Sequence, residues 1–131
     1  MKKLGILMLI AVILLAGCSS QEKAKEETMT VNKITAEAAK IMIDGGEDLV
    51  VLDVRTQEEY NEGHIENAVL IPDTEISAQA PTVLTDQDQT ILVYCRTGRR
   101  SAEAAKKLVD IGYTNIYDFG GIVDWPYEVV K

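Results

Sequence analysis

The sequence predicts an α/β fold in which a parallel β-sheet carries helices on both faces. Residues 49–52 and 90–94 are two short apolar or β-branched runs, the pattern of strands that are buried on both faces. Segments with the apolar spacing of helices alternate with such runs, and strands that alternate with helices form parallel sheets. The 131 residues leave room for one domain of this kind.

The predicted domain begins with an edge strand over residues 29–33. Thr35 follows as a helix N-cap, and the apolar spacing extends this helix to about Ile43, where glycines end it. The strand over residues 49–52 comes next and leads directly into Asp53. Ligands bind at the carboxyl ends of strands in open α/β sheets, so Asp53 marks the edge at which a site is expected.

Three further short elements are predicted before the second apolar run. Thr56 and Glu59 have the spacing of a capping box, which indicates a short helix. Residues 69–71 are predicted to form a third strand. Residues 73–79 can form another short helix, which we expect to end before Pro81 because proline interrupts helices.

The last part of the domain is predicted to be a helix followed by a short strand. Residues 102–111 have one apolar and one charged face, as an amphipathic helix does. Residues 115–117 read as the last strand. Gly120 and Gly121 are then expected to form a turn, and Trp125 is expected to anchor the terminal segment by packing.

Cys95 lies where the strand over residues 90–94 ends and a glycine-containing turn leads into a helix. Three of the four arginines of the chain, Arg96, Arg99 and Arg100, lie in this turn. Converging backbone N–H groups and the helix dipole favour an anion at such a place, so the thiol is expected to be a nucleophilic thiolate at neutral pH. A small buried apolar cysteine is the other reading, but it has no use for three guanidinium groups.

The turn resembles the active-site loop of single-domain rhodanese-like sulfurtransferases. The matching run is Cys95-Arg96-Thr97-Gly98-Arg99-Arg100-Ser101. Two more matches follow the order of that family: Leu52-Asp53-Val54-Arg55 with Glu58-Glu59-Tyr60, Gly63-His64-Ile65, Ala68 and Ile71-Pro72, and then Gly120-Gly121 with Trp125. The resemblance implies a rhodanese-like domain over residues 29–131.

The resemblance also implies sulfur transfer by double displacement. The Cys95 thiolate would attack the outer sulfur of thiosulfate or another sulfane donor, release sulfite and keep the sulfur as a persulfide. The acceptor would be cyanide in an assay, and a thiol or a protein in the cell. Arg96, Thr97, Gly98, Arg99, Arg100 and Ser101 would bind the substrate, with the N–H groups and Arg100 holding its anionic sulfurs. This mechanism needs no metal and no organic cofactor.

Asp53 and Arg55 are expected to support the turn. Asp53 either pairs with an arginine of the turn and holds it rigid, or caps a helix. Arg55 is expected to pair with Glu58 or Glu59. His64, the only histidine, is expected to hold its own turn by hydrogen bonds, as the corresponding residue of the family does, rather than to act as a base.

Two other functions remain open. A cysteine phosphatase or arsenate reductase uses the same thiolate in a phosphate-sized loop. That loop spans seven residues from cysteine to arginine, whereas Cys95 to Arg100 spans six and the seventh residue is Ser101. The second alternative is a non-catalytic tethered binding module, but inactive relatives usually lose the cysteine that this chain keeps.

Residues 1–17 resemble a bacterial lipoprotein signal peptide. Two lysines precede an apolar run of 13 residues, which is too short to span a bilayer. Leu15-Ala16-Gly17-Cys18 then resembles the lipoprotein signal box, in which the cysteine is diacylated and becomes the mature N-terminus. We therefore expect a lipid on Cys18, a flexible tether over residues 18–28 and an extracytoplasmic, membrane-anchored protein. Plain secretion is the alternative.

The charge and the cysteine count exclude several partners. The formal net charge is −8, and loss of residues 1–17 with their two lysines takes it to −10, which argues against nucleic acid and against a polybasic membrane-binding face. Cys95 would be the only free cysteine of the mature chain, so no internal disulfide can form. One cysteine and one histidine cannot by themselves make a zinc site. We expect a monomer.

Overall fold

The computed structural model describes residues 30–131, which contain a single five-stranded sheet. The strands are β1 (Asn32–Lys33), β2 (Leu49–Asp53), β3 (Val69–Leu70), β4 (Thr90–Cys95) and β5 (Ile116–Gly121). They lie in the order β1-β5-β4-β2-β3, and each neighbouring pair is parallel. The predicted α/β class is confirmed, and β4 is the central strand.

Four helices connect these strands. They are α1 (Ala36–Asp44), α2 (Gln57–Glu62), α3 (Ile76–Val83) and α4 (Arg99–Asp110). The predicted caps are confirmed: Thr35 accepts a hydrogen bond from the N–H of Ala38 at 3.1 Å, and Thr56 and Glu59 form the capping box that starts α2. Within residues 30–131, no helix is long and apolar enough to cross a membrane.

Each face of the sheet packs against its own helices. The core on one face joins α3 and α4 to the sheet through Ala80, Ala104 and Leu108, among other buried residues. The core on the other face contains Ala39 of α1 together with buried aromatic residues, including Trp125. The prediction of helices on both faces is therefore confirmed, and Trp125 packs as the expected anchor, with its ring 5.5 Å from that of Phe119.

Several boundaries differ from the sequence prediction, and the edge strand expected over residues 29–33 is only Asn32–Lys33 within the described residues. The helix expected over residues 73–79 is a 3₁₀ turn (Asp73–Glu75) followed by α3, and Pro81 lies inside α3. The fixed φ of proline suits a helix, and its missing N–H removes only one hydrogen bond. The N–H of Leu84 still donates to the carbonyl of Ala80 in the next turn. In addition, α4 begins at Arg99 rather than at residue 102. β5 continues through Gly121 rather than ending at residue 117, so Gly120 and Gly121 lie in the strand and the turn expected there is wrong.

The extension of β5 places Gly121 beside the Cys95 turn. The pairing of β4 with β5 shifts between Val93–Asp118 and Cys95–Gly121, so β5 contains one extra residue there, as a β-bulge does. A methyl group on Gly121 would overlap the carbonyl oxygen of Arg96 and would lie 2.7 Å from Cα of Thr97. Only glycine therefore allows the backbone of the turn to lie this close to β5.

We predict that Gly121→Ala lowers the free energy of unfolding by about 3 kcal/mol, the upper part of the usual range for overpacking, because the overlap is with backbone that cannot rotate away. The measurement is urea denaturation followed by circular dichroism. Gly45→Ala is the control, since Gly45 is exposed, has a φ of −70° and lies at the C-terminus of α1. The free energy of unfolding of this control should stay within about 0.5 kcal/mol of the wild-type value. Equal stability of the two variants would contradict the close packing.

Candidate active site

Cys95 ends the central strand and lies under the turn that starts α4. Its Sγ accepts a hydrogen bond from the backbone N–H of Gly98 at 3.0 Å. Gly98 is the residue before the first turn of α4 and has a φ of +106°, a conformation that glycine adopts without strain. The sulfur therefore faces an N–H donor at the positive end of a helix dipole, an arrangement that favours a negatively charged sulfur. Cys95 itself has 0% exposed surface.

The other residues of the turn differ in exposure. Arg96, Thr97 and Arg99 are exposed, Gly98 and Arg100 are half-buried, and Ser101 is buried. The end of β5 and the residues after it hold the turn, because the N–H of Val123 donates to the carbonyl of Arg96 at 3.2 Å. The buried hydroxyl of Ser101 lies 3.0 Å from the carbonyl oxygen of Gly98. Ser101 is thus placed to support the turn through its contact with Gly98.

Asp118, which the sequence analysis missed, joins three parts of the site. Its Oδ1 accepts hydrogen bonds from the Ser101 hydroxyl at 2.8 Å and from the N–H of Gly120 at 3.0 Å. Its Oδ2 pairs with Nζ of Lys33 in the edge strand at 3.1 Å. The carboxylate is buried and connects β1 and β5 to the start of α4. A single acidic residue directly after the predicted strand over residues 115–117 and two positions before Gly120 was the available signal.

Asp53 pairs with Arg55 rather than with an arginine of the turn. The guanidinium of Arg55 donates to both carboxylate oxygens, with Nε–Oδ1 at 3.0 Å and Nη2–Oδ2 at 2.7 Å. The hydroxyl of Tyr94 donates to Oδ2 at 2.6 Å, and burial, followed by this hydrogen bond and the Asp53 charge, raises the pKa of Tyr94. Both expectations for Asp53, a partner in the turn or a helix cap, are wrong.

The expected pairing of Arg55 with Glu58 or Glu59 is also wrong. Residues two apart in extended chain lie on the same side, so Asp53 is the nearest carboxylate to Arg55. The guanidinium also donates to the carbonyl of Gly63 at 2.8 Å. Asp53 and Arg55 thus form a buried pair that ties the end of β2 to the turn after α2.

Glu59 instead binds Arg100, the arginine that was expected to hold the substrate anion. The two side chains form two parallel bonds, Nη1–Oε1 at 2.8 Å and Nη2–Oε2 at 2.9 Å. Hydrogen bonding to Glu59 is the main cause that raises the pKa of Arg100. Glu59 therefore neutralises much of the charge of Arg100.

The remaining arginines of the turn are less constrained. Arg99 reaches Glu103 only at 3.8 Å, and both side chains are mostly exposed, so this pair contributes little. Within residues 30–131, the guanidinium of Arg96 forms no ion pair within 4.0 Å. The turn thus presents two solvent-exposed positive charges around a buried sulfur.

His64 lies in the structural position that was expected. Its Nδ1 is 2.8 Å from the carbonyl oxygen of Tyr60, and its ring stacks on the Tyr60 ring at 3.6 Å. Its backbone N–H donates to the carbonyl of Val130, and its carbonyl accepts from the N–H of Val130, both at 2.8 Å. These bonds fix the turn after α2 to the C-terminal segment.

A groove of about 430 Å³ lies beside the Cys95 turn. It is lined by Arg55, Glu59, Glu62, Gly63, Arg96, Ile122, Val123, Trp125, Tyr127 and Val129. A larger cavity of about 520 Å³ lies between α1 and the C-terminal segment, but no residue of the 95–101 turn lines it. The smaller groove therefore adjoins the Cys95 turn through Arg96, whereas Cys95 itself does not line it.

Comparison with known proteins identifies the family to which the chain belongs. The rhodanese-like domain family matches residues 35–127. Over 80 residues the chain is 36% identical to thiosulfate sulfurtransferase PspE of Escherichia coli (strain K12), covering 61% of this chain and 77% of that protein. Over 100 residues it is 34% identical to the putative sulfurtransferase YtwF of Bacillus subtilis (strain 168), covering 76% and 95%.

The solved structures agree with this class. A rhodanese with anions from E. coli superposes with a TM-score of 0.59 at 35% identity, covering 63% of this chain and 96% of that one. The domain also occurs in larger proteins: the chain spans 25% of the probable adenylyltransferase/sulfurtransferase MoeZ of Mycobacterium tuberculosis, to which it is 37% identical over 97 residues. The chain belongs to the rhodanese-like domain family, and its relatives include sulfurtransferases.

The Glu59–Arg100 pair predicts a pH dependence of stability. Hydrogen bonding to Arg100 is the main cause that lowers the pKa of the Glu59 carboxyl to about 2, from an ordinary value of 4.5. Because the pKa is lower in the folded state, the contribution of the pair is complete above about pH 4.5 and is lost as the pH falls towards 2. Glu59→Gln should therefore lower the free energy of unfolding by about 1 kcal/mol at pH 7. The difference in this free energy between the variant and wild type should shrink below pH 4.5.

Urea denaturation at several pH values measures this difference. Glu58→Gln is the matched control, since Glu58 is exposed in the same helical turn and has no ion pair within residues 30–131. The control should follow wild type at every pH. A Glu59→Gln deficit that stays constant down to pH 2 would show that the ion pair does not stabilise the fold.

Proposed function

We propose that this protein transfers sulfane sulfur, with thiosulfate as a donor, through a persulfide on Cys95. The observation that carries the proposal is the Gly98 N–H directed at the Cys95 sulfur at the start of α4. This environment stabilises a thiolate and, after reaction, an anionic persulfide. The family match and the relationship to PspE, named a thiosulfate sulfurtransferase, support the same chemistry.

The first half-reaction moves one sulfur atom to the protein. The thiolate of Cys95 attacks the outer sulfur of thiosulfate, an S–S bond forms to Cys95, and the bond to the sulfonate group breaks with its electron pair. Sulfite leaves as a dianion and Cys95 carries a persulfide anion, so charge and atoms balance. The exposed Arg96 and Arg99 supply positive charge along the approach of the dianion.

The second half-reaction returns the sulfur to an acceptor. Cyanide or a thiolate attacks the outer sulfur of the persulfide, the S–S bond to Cys95 breaks, and Cys95 leaves as a thiolate ready for another turnover. The residues of the turn hold the charged sulfur in both halves. Within this reaction, the Asp53–Arg55 pair, Asp118 and Ser101 act as positioning residues, since they fix the backbone around Cys95.

The burial of Cys95 limits which molecules react. Because the residue has 0% exposed surface, a donor reaches its sulfur only through a local opening of the turn. Small donors such as thiosulfate meet this requirement more easily than bulky ones. The six-residue spacing from Cys95 to Arg100, where the phosphatase loop spans seven, favours sulfur transfer over phosphatase chemistry.

We further propose that the domain is held at the outer surface of a membrane by a lipid on Cys18. The support is the sequence of residues 1–18, which lies outside the described residues. Two or more acyl chains anchor a protein stably where one does not. Residues 18–28, if fully extended, would reach at most roughly 35–40 Å, so the domain would work close to the membrane.

We predict that Cys95→Ser abolishes formation of thiocyanate from thiosulfate and cyanide, lowering the rate at least about a thousandfold, because a hydroxyl is a far weaker nucleophile than a thiolate. Mass spectrometry of wild type after thiosulfate should show one added sulfur atom that cyanide removes. The fold should be kept, which circular dichroism checks.

Thiocyanate at the wild-type rate from Cys95→Ser would exclude this mechanism. Efficient aryl phosphate hydrolysis by wild type without sulfur transfer would favour a phosphatase.

We predict that Cys18→Ala prevents acylation and cleavage of the precursor when the full chain is expressed in bacteria. Wild type should partition into the detergent phase of a Triton X-114 extraction and carry acyl mass on Cys18. The variant should carry none. A wild-type protein found in the aqueous phase with an unmodified Cys18 would rule out the lipid anchor, while leaving the sulfur chemistry unaffected.

A further inference from the structure

The groove beside the turn is larger than the proposed donor requires. Thiosulfate has five heavy atoms, whereas a volume of about 430 Å³ is within the range of pockets that hold drug-sized ligands or several side chains. Arg96, the residue directly after Cys95, is one of the groove's lining residues. The groove therefore adjoins the Cys95 turn through Arg96 and has room for a molecule larger than the donor.

One side of the groove is apolar and exposed. Val123 is 61% exposed and Val129 is 47% exposed, and the aromatic rings of Trp125 and Tyr127 continue the same wall. Exposed apolar residues clustered around a concave site are typical of places where another molecule binds. Because both valines are exposed to solvent as well as lining the groove, they can contact a partner that extends beyond it.

The charged residues of the groove indicate which charge the partner should carry. Arg55 and Glu59 are each bound to a partner, Asp53 and Arg100. Arg96 is exposed and without an ion pair within the described residues, so it favours a carboxylate near the reacting sulfur. Glu62 also borders the groove and would repel a run of acidic residues, so a single carboxylate is the better match.

We propose that this groove binds the sulfur acceptor, and that the acceptor is a cysteine-bearing polypeptide segment with one acidic residue beside the cysteine and an apolar side chain next to it. The inference rests on the proposed persulfide on Cys95. The acidic residue binds Arg96, and the apolar side chain packs against Val123 and Val129. The interaction is between this domain and another protein, rather than with a free small thiol.

The acceptor segment, like the donor, reaches the sulfur through a local opening of the turn, because Cys95 has no exposed surface. The outer sulfur lies about 2 Å beyond Sγ, the length of an S–S bond. The acceptor thiolate attacks this outer sulfur, its S–S bond forms as the bond to Cys95 breaks, and Cys95 is regenerated as a thiolate. The acceptor leaves with a persulfide anion, so no further oxidant or reductant is needed.

The test compares acceptors on the same persulfidated domain. The probes are a Leu-Cys-Glu peptide with blocked ends, the matched Leu-Cys-Lys peptide, free cysteine and cyanide, with transfer followed by mass spectrometry and thiocyanate formation. The Leu-Cys-Glu peptide should have a kcat/KM about tenfold or more above both the lysine peptide and free cysteine, the size of one or two favourable contacts. Equal values for the three thiols would overturn the inference.

Variants of the two exposed valines locate the binding site. Val123→Asp should lower kcat/KM for the Leu-Cys-Glu peptide about fivefold or more and should change the cyanide reaction much less. Val129→Asp is a second variant in case the first fails to fold. Val83→Asp is the control, since Val83 is 46% exposed on α3 and outside the groove, and it should leave both reactions unchanged.

The outcomes separate this inference from the proposed function. If wild type forms no thiocyanate and accepts no sulfur, the proposed function fails. If thiocyanate forms normally but the Leu-Cys-Glu peptide is no better than free cysteine, only the polypeptide acceptor is excluded. A peptide preference that survives in both Val123→Asp and Val129→Asp would place acceptor binding elsewhere on the domain and would also overturn the inference.

Discussion

The site depends on the backbone of Gly121 lying directly against the turn that follows Cys95. Because no side chain separates them, the end of β5 supports the turn at Arg96 and Thr97 without a gap, and the N–H of Val123 bonds to the carbonyl of Arg96. The turn can then fold back so that the Gly98 N–H reaches the sulfur. A larger residue at the end of β5 would move the donor away from the nucleophile, so the packing of two strand ends determines the chemistry.

The charged groups around this turn are mostly bound to one another. Asp53 binds Arg55, Glu59 binds Arg100, and Asp118 joins Lys33 to the hydroxyl of Ser101. These pairs fix the loops at one edge of the sheet and leave the backbone donor and the exposed arginines to meet the reacting sulfur. A site held by such a framework would need little reorganisation in the proposed reaction, when charge moves between Cys95 and its substrate.

The local features of the fold were predictable from the sequence, whereas the partners of the charged residues were not. The caps at Thr35 and Thr56 depend on residues three positions away, and the motif of the Cys95 turn is seven consecutive residues, so both can be recognised in the sequence. The support of that turn by Gly121 comes from 20 or more positions away and could not be recognised in this way. Glu59 and Arg100 are 41 positions apart, and they meet only because β2 and β4 are neighbours. Asp118 was missed because its contacts require β5 to lie beside β4 and β1.

The central claim is that the backbone of the turn holds the transferred sulfur on Cys95. The most direct test is a crystal structure of the domain after reaction with thiosulfate, with the sulfur atoms located by their anomalous signal. The account predicts a second sulfur bonded to Cys95 Sγ and within hydrogen-bond distance, about 3.5 Å for a sulfur acceptor, of N–H groups in the turn between Cys95 and Ser101. An unmodified Cys95, or an outer sulfur directed away from these N–H groups, would contradict it.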